Sequence, residues 1–263
     1  MPRGPRRLPL HLLRGSARRG KQAVRLGLAS LALLVVAGAV QAQVIVAARY
    51  TEPTSRYAHD VLGTDAEWGA LVLTLADCIE CGQPNSRDIT IRLDLSRVFE
   101  DLAPRLIDLD HDNHPEVVTI ESDASRGARL AIYDQSGLIT ATPFIGTAYR
   151  WLAPLGAADL DGDGHMELAY IDRPHLAKTL RIWRYQNRKL SQIAHLPGLT
   201  NHRIGQDFIS GGIRDCGSTP EIITADARWR SIMAARLNGT ELEAARIGTF
   251  SGPQSLDDAL ICQ

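Results

Sequence analysis

From Val44 onward, apolar residues come in short runs, some alternating with polar residues and some continuous, each ended by Gly, Pro, Asn or Asp. A period of two broken at such short intervals predicts many short β-strands. The segments that carry it are Val44 to Ala48, Ala70 to Leu75, Ile89 to Leu95, Glu116 to Ile120, Arg129 to Tyr133, Glu167 to Ile171, Thr179 to Tyr185, Glu221 to Thr224, Ser231 to Leu237 and Leu242 to Ile247. Beyond Ala42 no stretch sustains a helical period, apart from a weak turn over Leu95 to Leu102.

These strands fall into a repeat. Asp108-Leu-Asp-His-Asp-Asn-His-Pro-Glu116, followed by Val-Val-Thr-Ile, matches Asp159-Leu-Asp-Gly-Asp-Gly-His-Met-Glu167, followed by Leu-Ala-Tyr-Ile, at an offset of 51 (159 minus 108). Ile213-Arg-Asp-Cys-Gly-Ser-Thr-Pro-Glu221 is a degenerate third copy at a further offset of 54 (213 minus 159). A hairpin follows each copy, and Asn238-Gly239 in the last is a strong two-residue turn signal. A metal-less copy is expected earlier, with Asp65-Ala-Glu67 leading into Ala70 to Leu75. A period of about 50 residues holding about four strands is the mark of propeller blades, because one such sheet cannot bury both faces alone. The expected fold is therefore all-β: a small β-propeller-like array of about four blades of four-stranded antiparallel sheets, closed into a ring or left open.

The loops carry the chemistry. In the second, Asp159, Asp161, Asp163 and Glu167 place side-chain oxygens at positions 1, 3, 5 and 9, Gly164 at position 6 permits a left-handed turn, and His165 at position 7 can offer its backbone carbonyl. The first repeats this set as Asp108, Asp110, Asp112, His114 and Glu116, with Asn113 in place of the glycine. Carboxylates this dense repel one another unless a cation neutralises them, and oxygen-only ligation in a flexible loop suits Ca²⁺. Two calcium sites are expected, the Asp108 site the weaker. An EF-hand is excluded, because position 12 is Thr119 or Tyr170 inside strand-like runs rather than a bidentate Glu before a helix. The third copy keeps only Asp215 and Glu221 and is expected to be a similar turn without metal.

Charge and cysteines set the compartment. Residues 1–42 hold eight of the 29 Lys and Arg and no acid, leaving 21 basic against 30 acidic residues, a balance of -9, for the remainder. The basic leader, an apolar run from Leu26 to Val40 and the small residues before Gln43 read as a secretory signal peptide cleaved after Ala42, with residues 43–263 as the folded repeat domain. The run is short for a transmembrane anchor, so no stable membrane insertion is expected after cleavage. Four cysteines in an exported chain favour disulfides; three pairings are possible, and Cys78 with Cys81 and Cys216 with Cys262 are the favoured ones. An acidic domain with no basic cluster makes nucleic acid a poor partner.

The two loops, their following strands and their spacing resemble the FG-GAP/VCBS repeat family. That resemblance implies β-propeller blades with calcium loops between neighbouring strands, and a periplasmic or extracellular role in structure, recognition or adhesion toward a protein or glycan ligand. Two rivals stay open: an exported hydrolase or lyase with its site on the propeller face, and a subunit of a cell-envelope complex. No Gly-x-Ser-x-Gly elbow is present, and His59, His111, His175, His195 and His202 are scattered along the chain. The polar segment Tyr50 to Trp68, with Tyr57, His59 and Asp60, is the part least explained by blade packing and the place to seek a functional surface.

Overall fold

Hydrogen bonding gathers the alternating segments into three antiparallel sheets. The structure, a computed structural model, describes residues 43–63, 66–77 and 85–262. The leader 1–42, Asp65 and the Cys78, Cys81 pair lie outside the described residues. The first sheet has eight strands: β1 (Val44–Thr54), β2 (Glu67–Ala76), β3 (Arg87–Arg92), β4 (Arg97–Phe99), β5 (Arg105–Ile107), β6 (Glu116–Asp123), β7 (Gly127–Asp134) and β8 (Gly137–Ala141). The second has four: β9 (Leu152–Ala158), β10 (Met166–Asp172), β11 (Thr179–Gln186) and β12 (Lys189–Pro197). The third has five: β13 (Leu199–Thr200), β14 (Gly212–Arg214), β15 (Glu221–Asp226), β16 (Ser231–Asn238) and β17 (Glu241–Thr249). A short helix, α1 (Gln254–Leu260), ends the described chain.

The repeat is visible as β5–β8, β9–β12 and β14–β17, each a first strand, an acidic or acid-poor loop, and a three-strand meander. Four separate blades are not what forms. The short β4 pairs with β2 at Trp68–Phe99 and with β6 at Arg97–Asp123, so the first meander and the first repeat share one continuous sheet. None of the three sheets closes on itself. The expected turn at Leu95 to Leu102 is this strand β4, whose Val98 and Phe99 are fully buried.

Stacking buries both faces of the inner sheets. On β10, Leu168 and Tyr170 pack toward β6 and β7, while Ala169 and Ile171 pack with Ile222 of β15 and Ala235 of β16. This two-sided burial explains why the strand after each loop reads as a continuous apolar run rather than a strict alternation. On β6, Val118 and Ile120 join the layer shared with β10, whereas Val117 joins Leu71 and Leu73 of β2 in the layer before it. The outer face of the third sheet is covered by α1, whose Leu256 is fully buried against Ile223, Ala225, Ile232 and Ala234. The helix corrects the expectation that none forms. Cys262 just beyond it bonds to Cys216 in the loop before β15, the pairing favoured from sequence. Among the described residues no helix is long and apolar enough to cross a membrane.

Candidate functional site

Each acidic loop spans the turn between the first two strands of a repeat, so strand register fixes both of its ends. Glu116 opens β6 opposite Ile107, and Glu167 stands in β10 opposite Ala158. Both glutamates are buried, and each reaches back across its loop to accept the amide of position 2, Leu109 at 3.0 Å or Leu160 at 2.9 Å. At the other end the loop amides wrap the position-1 carboxylate. Asp108 accepts Asp112 N and Asn113 N at 3.2 and 3.0 Å; Asp159 accepts Gly162 N, Asp163 N and Gly164 N at 2.7, 3.1 and 2.9 Å. Asn113 and Gly164 take the left-handed conformation expected of position 6, and so do His111 and Gly162 at position 4, for which the spacing gave no signal.

The result brings positions 1, 3 and 9 together. Asp108, Asp110 and Glu116 present oxygens within 4.8 Å of one another, as do Asp159, Asp161 and Glu167, a spacing compatible with a shared metal ion. Asp112 and Asp163 stand outside these groups, each accepting the amide of position 7, His114 or His165, at 2.7 and 2.9 Å. The His114 and His165 rings are outside them as well; His165 Nε2 takes a hydrogen bond from the Gln186 amide at 2.8 Å.

The loops differ in how their charge is met. In the second, the Arg184 guanidinium lies against Glu167, Asp161 and Asp163 at 2.6, 2.7 and 2.7 Å. It stands opposite Glu167 in the β10–β11 register, and the equivalent position beside Glu221 is Arg236, which with Arg214 holds that glutamate in the third, acid-poor loop. In the first loop the following strand offers Asp134 instead. Arg188 pairs with that residue at 2.7 Å, and among the described residues Asp108, Asp110 and Glu116 form no ion pair. Burial, then Asp112 and Asp108, raise the Asp110 carboxyl, and burial first of all lifts Glu116 to about 7. The first loop therefore holds the less compensated negative charge, a chemistry that fits a hard divalent cation.

Residues 108–170 match the family of FG-GAP-like repeats. The FG-GAP-like stretch opens at the first ligand position of one loop and ends at Tyr170, in the strand that follows the other, so it takes in both converging carboxylate groups. No curated protein matches the chain.

A second cluster forms away from these FG-GAP-like loops, where the polar segment after β1 crosses the stack. Tyr57 is buried, stacks on Tyr149 at 5.2 Å and accepts its amide at 3.1 Å. His59 Nδ1 lies 2.6 Å from Oε1 of the fully buried Glu100, whose Oε2 accepts the Ser122 hydroxyl. From the second and third sheets come His175 and His202, with Nε2 of one 2.9 Å from Nδ1 of the other, and His202 Nε2 donates to the Gln206 carbonyl at 3.0 Å. Burial, then the neighbouring His202, drive His175 down to about 4, and burial lowers His202 as well. Of the five scattered histidines, His59, His175 and His202 thus meet. Glu100 and Ser122 carried no sequence signal, since neither belongs to a local motif.

Proposed function

We propose that the chain is an exported repeat protein whose Asp108 and Asp159 loops each bind one calcium ion, and whose stacked sheets present a surface for recognition or adhesion. The observation that carries the reading is the convergence of three carboxylates from positions 1, 3 and 9 in both loops, with the loop amides already folded round the first. Calcium would be held by Asp108, Asp110 and Glu116 in one loop and Asp159, Asp161 and Glu167 in the other, with Asp112, Asp163 and the carbonyls of His114 and His165 completing the sets. Its chemistry here is structural: a hard cation cancels the repulsion within each loop and fixes the start of the strand that follows. The acidic domain, the leader and a disulfide between Cys216 and Cys262 support export to the periplasm or beyond, where thiols are oxidised. The lack of an ion pair on Asp108, Asp110 and Glu116, set against Arg184 on the second loop, favours the Asp108 loop as the tighter site, the reverse of the order expected from sequence.

Calorimetric titration of the purified chain with calcium tests this. Two binding events are expected, the tighter lost in Asp110→Ala and the weaker in Asp161→Ala. Absence of calcium-dependent heat in the wild type would reduce both loops to acidic turns.

A further inference from the structure

A half-open cavity of about 190 Å³ lies between the segment that follows β8 and the face of the second sheet, lined among others by Phe144, Tyr170, Asp172, Arg181, Trp183 and Gln192. A cavity of about 150 Å³ holds benzene, so this one has room for a single six-membered ring. Strand register decides what faces it. Tyr170 stands opposite Arg181 and Trp183 opposite Gln192, and cross-strand partners share a face. The second pairing depends on a β-bulge: the register of β11 and β12 shifts between Ile182 and Trp183, and without the shift Ile193 would stand where Gln192 does. The bulge thus sets an amide beside the indole in place of an apolar side chain.

The polar lining is one connected net. Oδ2 of buried Asp172 accepts Arg173 Nη2 at 3.0 Å and Arg181 Nε at 2.9 Å, so both guanidinium groups rest on one oxygen. Oδ1 accepts Arg173 Nε at 2.8 Å, and Arg181 Nη1 donates to Gln192 Oε1 at 3.1 Å. Two arginines against one carboxylate leave a surplus of one positive charge. Among the described residues Arg181 Nη2, Arg173 Nη1 and the Gln192 amide nitrogen donate to nothing, while the side-chain acceptors of the net already hold hydrogen bonds. The walls are aromatic. Trp183 Nε1 donates to the Tyr170 hydroxyl at 3.0 Å, which fixes both rings, and Arg126 and Arg129 hold the Phe144 ring from 4.0 and 4.5 Å. Each of those two arginines is paired with a carboxylate, Asp123 or Glu121.

We propose that this cavity binds one hexuronate unit of an acidic glycan, its carboxylate on the open N–H groups of Arg181 and Arg173 and the C–H face of its ring against the aromatic walls. The inference rests on the recognition reading above and gives it a ligand and a place. A guanidinium fork matches a carboxylate in shape and keeps its charge at any working pH. Apolar walls with a few placed donors are what orient a small ring, and the Gln192 amide is left for a ring hydroxyl. A neutral sugar would leave the surplus charge unmet, and a small inorganic anion would leave the aromatic walls uncovered.

The test titrates the full chain, at constant calcium, with methyl glucuronide, methyl glucoside and acetate, by calorimetry and by NMR of the Trp183 indole and Gln192 amide. The glucuronide is expected to bind at one site and to shift both resonances, with the glucoside and acetate each at least about tenfold weaker. Arg181→Gln weakens the glucuronide at least about tenfold, exposed Gln192→Ala on the edge strand about threefold, and Arg49→Gln on the first sheet leaves it unchanged. The proposal is overturned if the wild-type Trp183 and Gln192 resonances do not move with the glucuronide, a readout that needs no variant to fold. Glucoside binding as tight as the glucuronide's would overturn it equally. Glycan binding that persists in Arg181→Gln with Trp183 unmoved removes this site and leaves a recognition surface elsewhere, while a calcium titration of the same sample reports on the loops separately.

Discussion

Arg184 shows how one side chain sets the cation demand of a loop. Its guanidinium meets three carboxylates at 2.6 to 2.7 Å and is 20% exposed, so it acts as an internal counter-ion with which any cation entering the loop would compete. Hydrogen bonds between charged groups contribute about 1.5–3 kcal/mol, and about 1.4 kcal/mol is a tenfold change in affinity. Arg184→Gln is therefore expected to tighten calcium binding at the Asp159 loop about tenfold and to lower the melting temperature in chelator. A titration in which the variant binds calcium more weakly would show that Arg184 supports the site instead. The converging carboxylates, Asp108, Asp110 and Glu116 and Asp159, Asp161 and Glu167, were legible in the sequence, because each set lies within nine residues. Arg184 was not: its role depends on cross-strand register, 17 residues from Glu167.

At the scale of elements, α1 and the disulfide act together at the end of the stack. The helix has seven residues and one buried side chain, Leu256, too little for a readable period. Its place is fixed by burial on the third sheet and by the Cys216–Cys262 bond, which closes a separation of 46 residues. Loop-closure entropy for such a span gives roughly 4 kcal/mol, with ~2–4 kcal/mol the usual yield. Cys216→Ser with Cys262→Ser is expected to cost that much in denaturant unfolding and to speed amide exchange in α1 before the rest of the chain. Uniform loss of protection across all three sheets would contradict a local cap. The strand β9 was missed from sequence for a comparable reason. Pro154 and Gly156 make it read as loop, yet it is an edge strand that takes both at a bulge opposite Ala169 and Tyr170.

For the whole molecule, the layers between sheets must absorb buried charge as well as apolar surface. Glu67 is 3% exposed, and among the described residues its Oε1 has no hydrogen-bond partner. Burial, then Glu100, Asp60 and Asp101, raise its carboxyl from 4.5 to about 8. A carboxyl raised on folding stabilises the native state fully below its unfolded value, and that contribution is lost as pH rises through the folded one. Stability is expected to fall between about pH 4.5 and pH 8, by up to ~5 kcal/mol, since each tenfold difference in proton affinity between the folded and unfolded chain is worth about 1.4 kcal/mol. Glu67→Gln should flatten that slope in urea melts run across the range. An unchanged slope would place the buried charge elsewhere.

The sequence by itself determined what is local: the strand-rich pattern, the repeat at offsets of 51 and 54, the two carboxylate loops, their left-handed position 6 and a tight hairpin turn at Gly239. Such features follow from spacing along the chain, where neighbours have no choice but to meet. The tertiary structure alone decided that β4 fuses the first meander to the first repeat, that Arg184 partly compensates one loop while the other has no such partner, and that His59 meets Glu100 and His175 meets His202. These depend on sheet stacking, which brings together residues as much as 41 positions apart (100 minus 59) through burial and hydrogen bonding that no local period encodes.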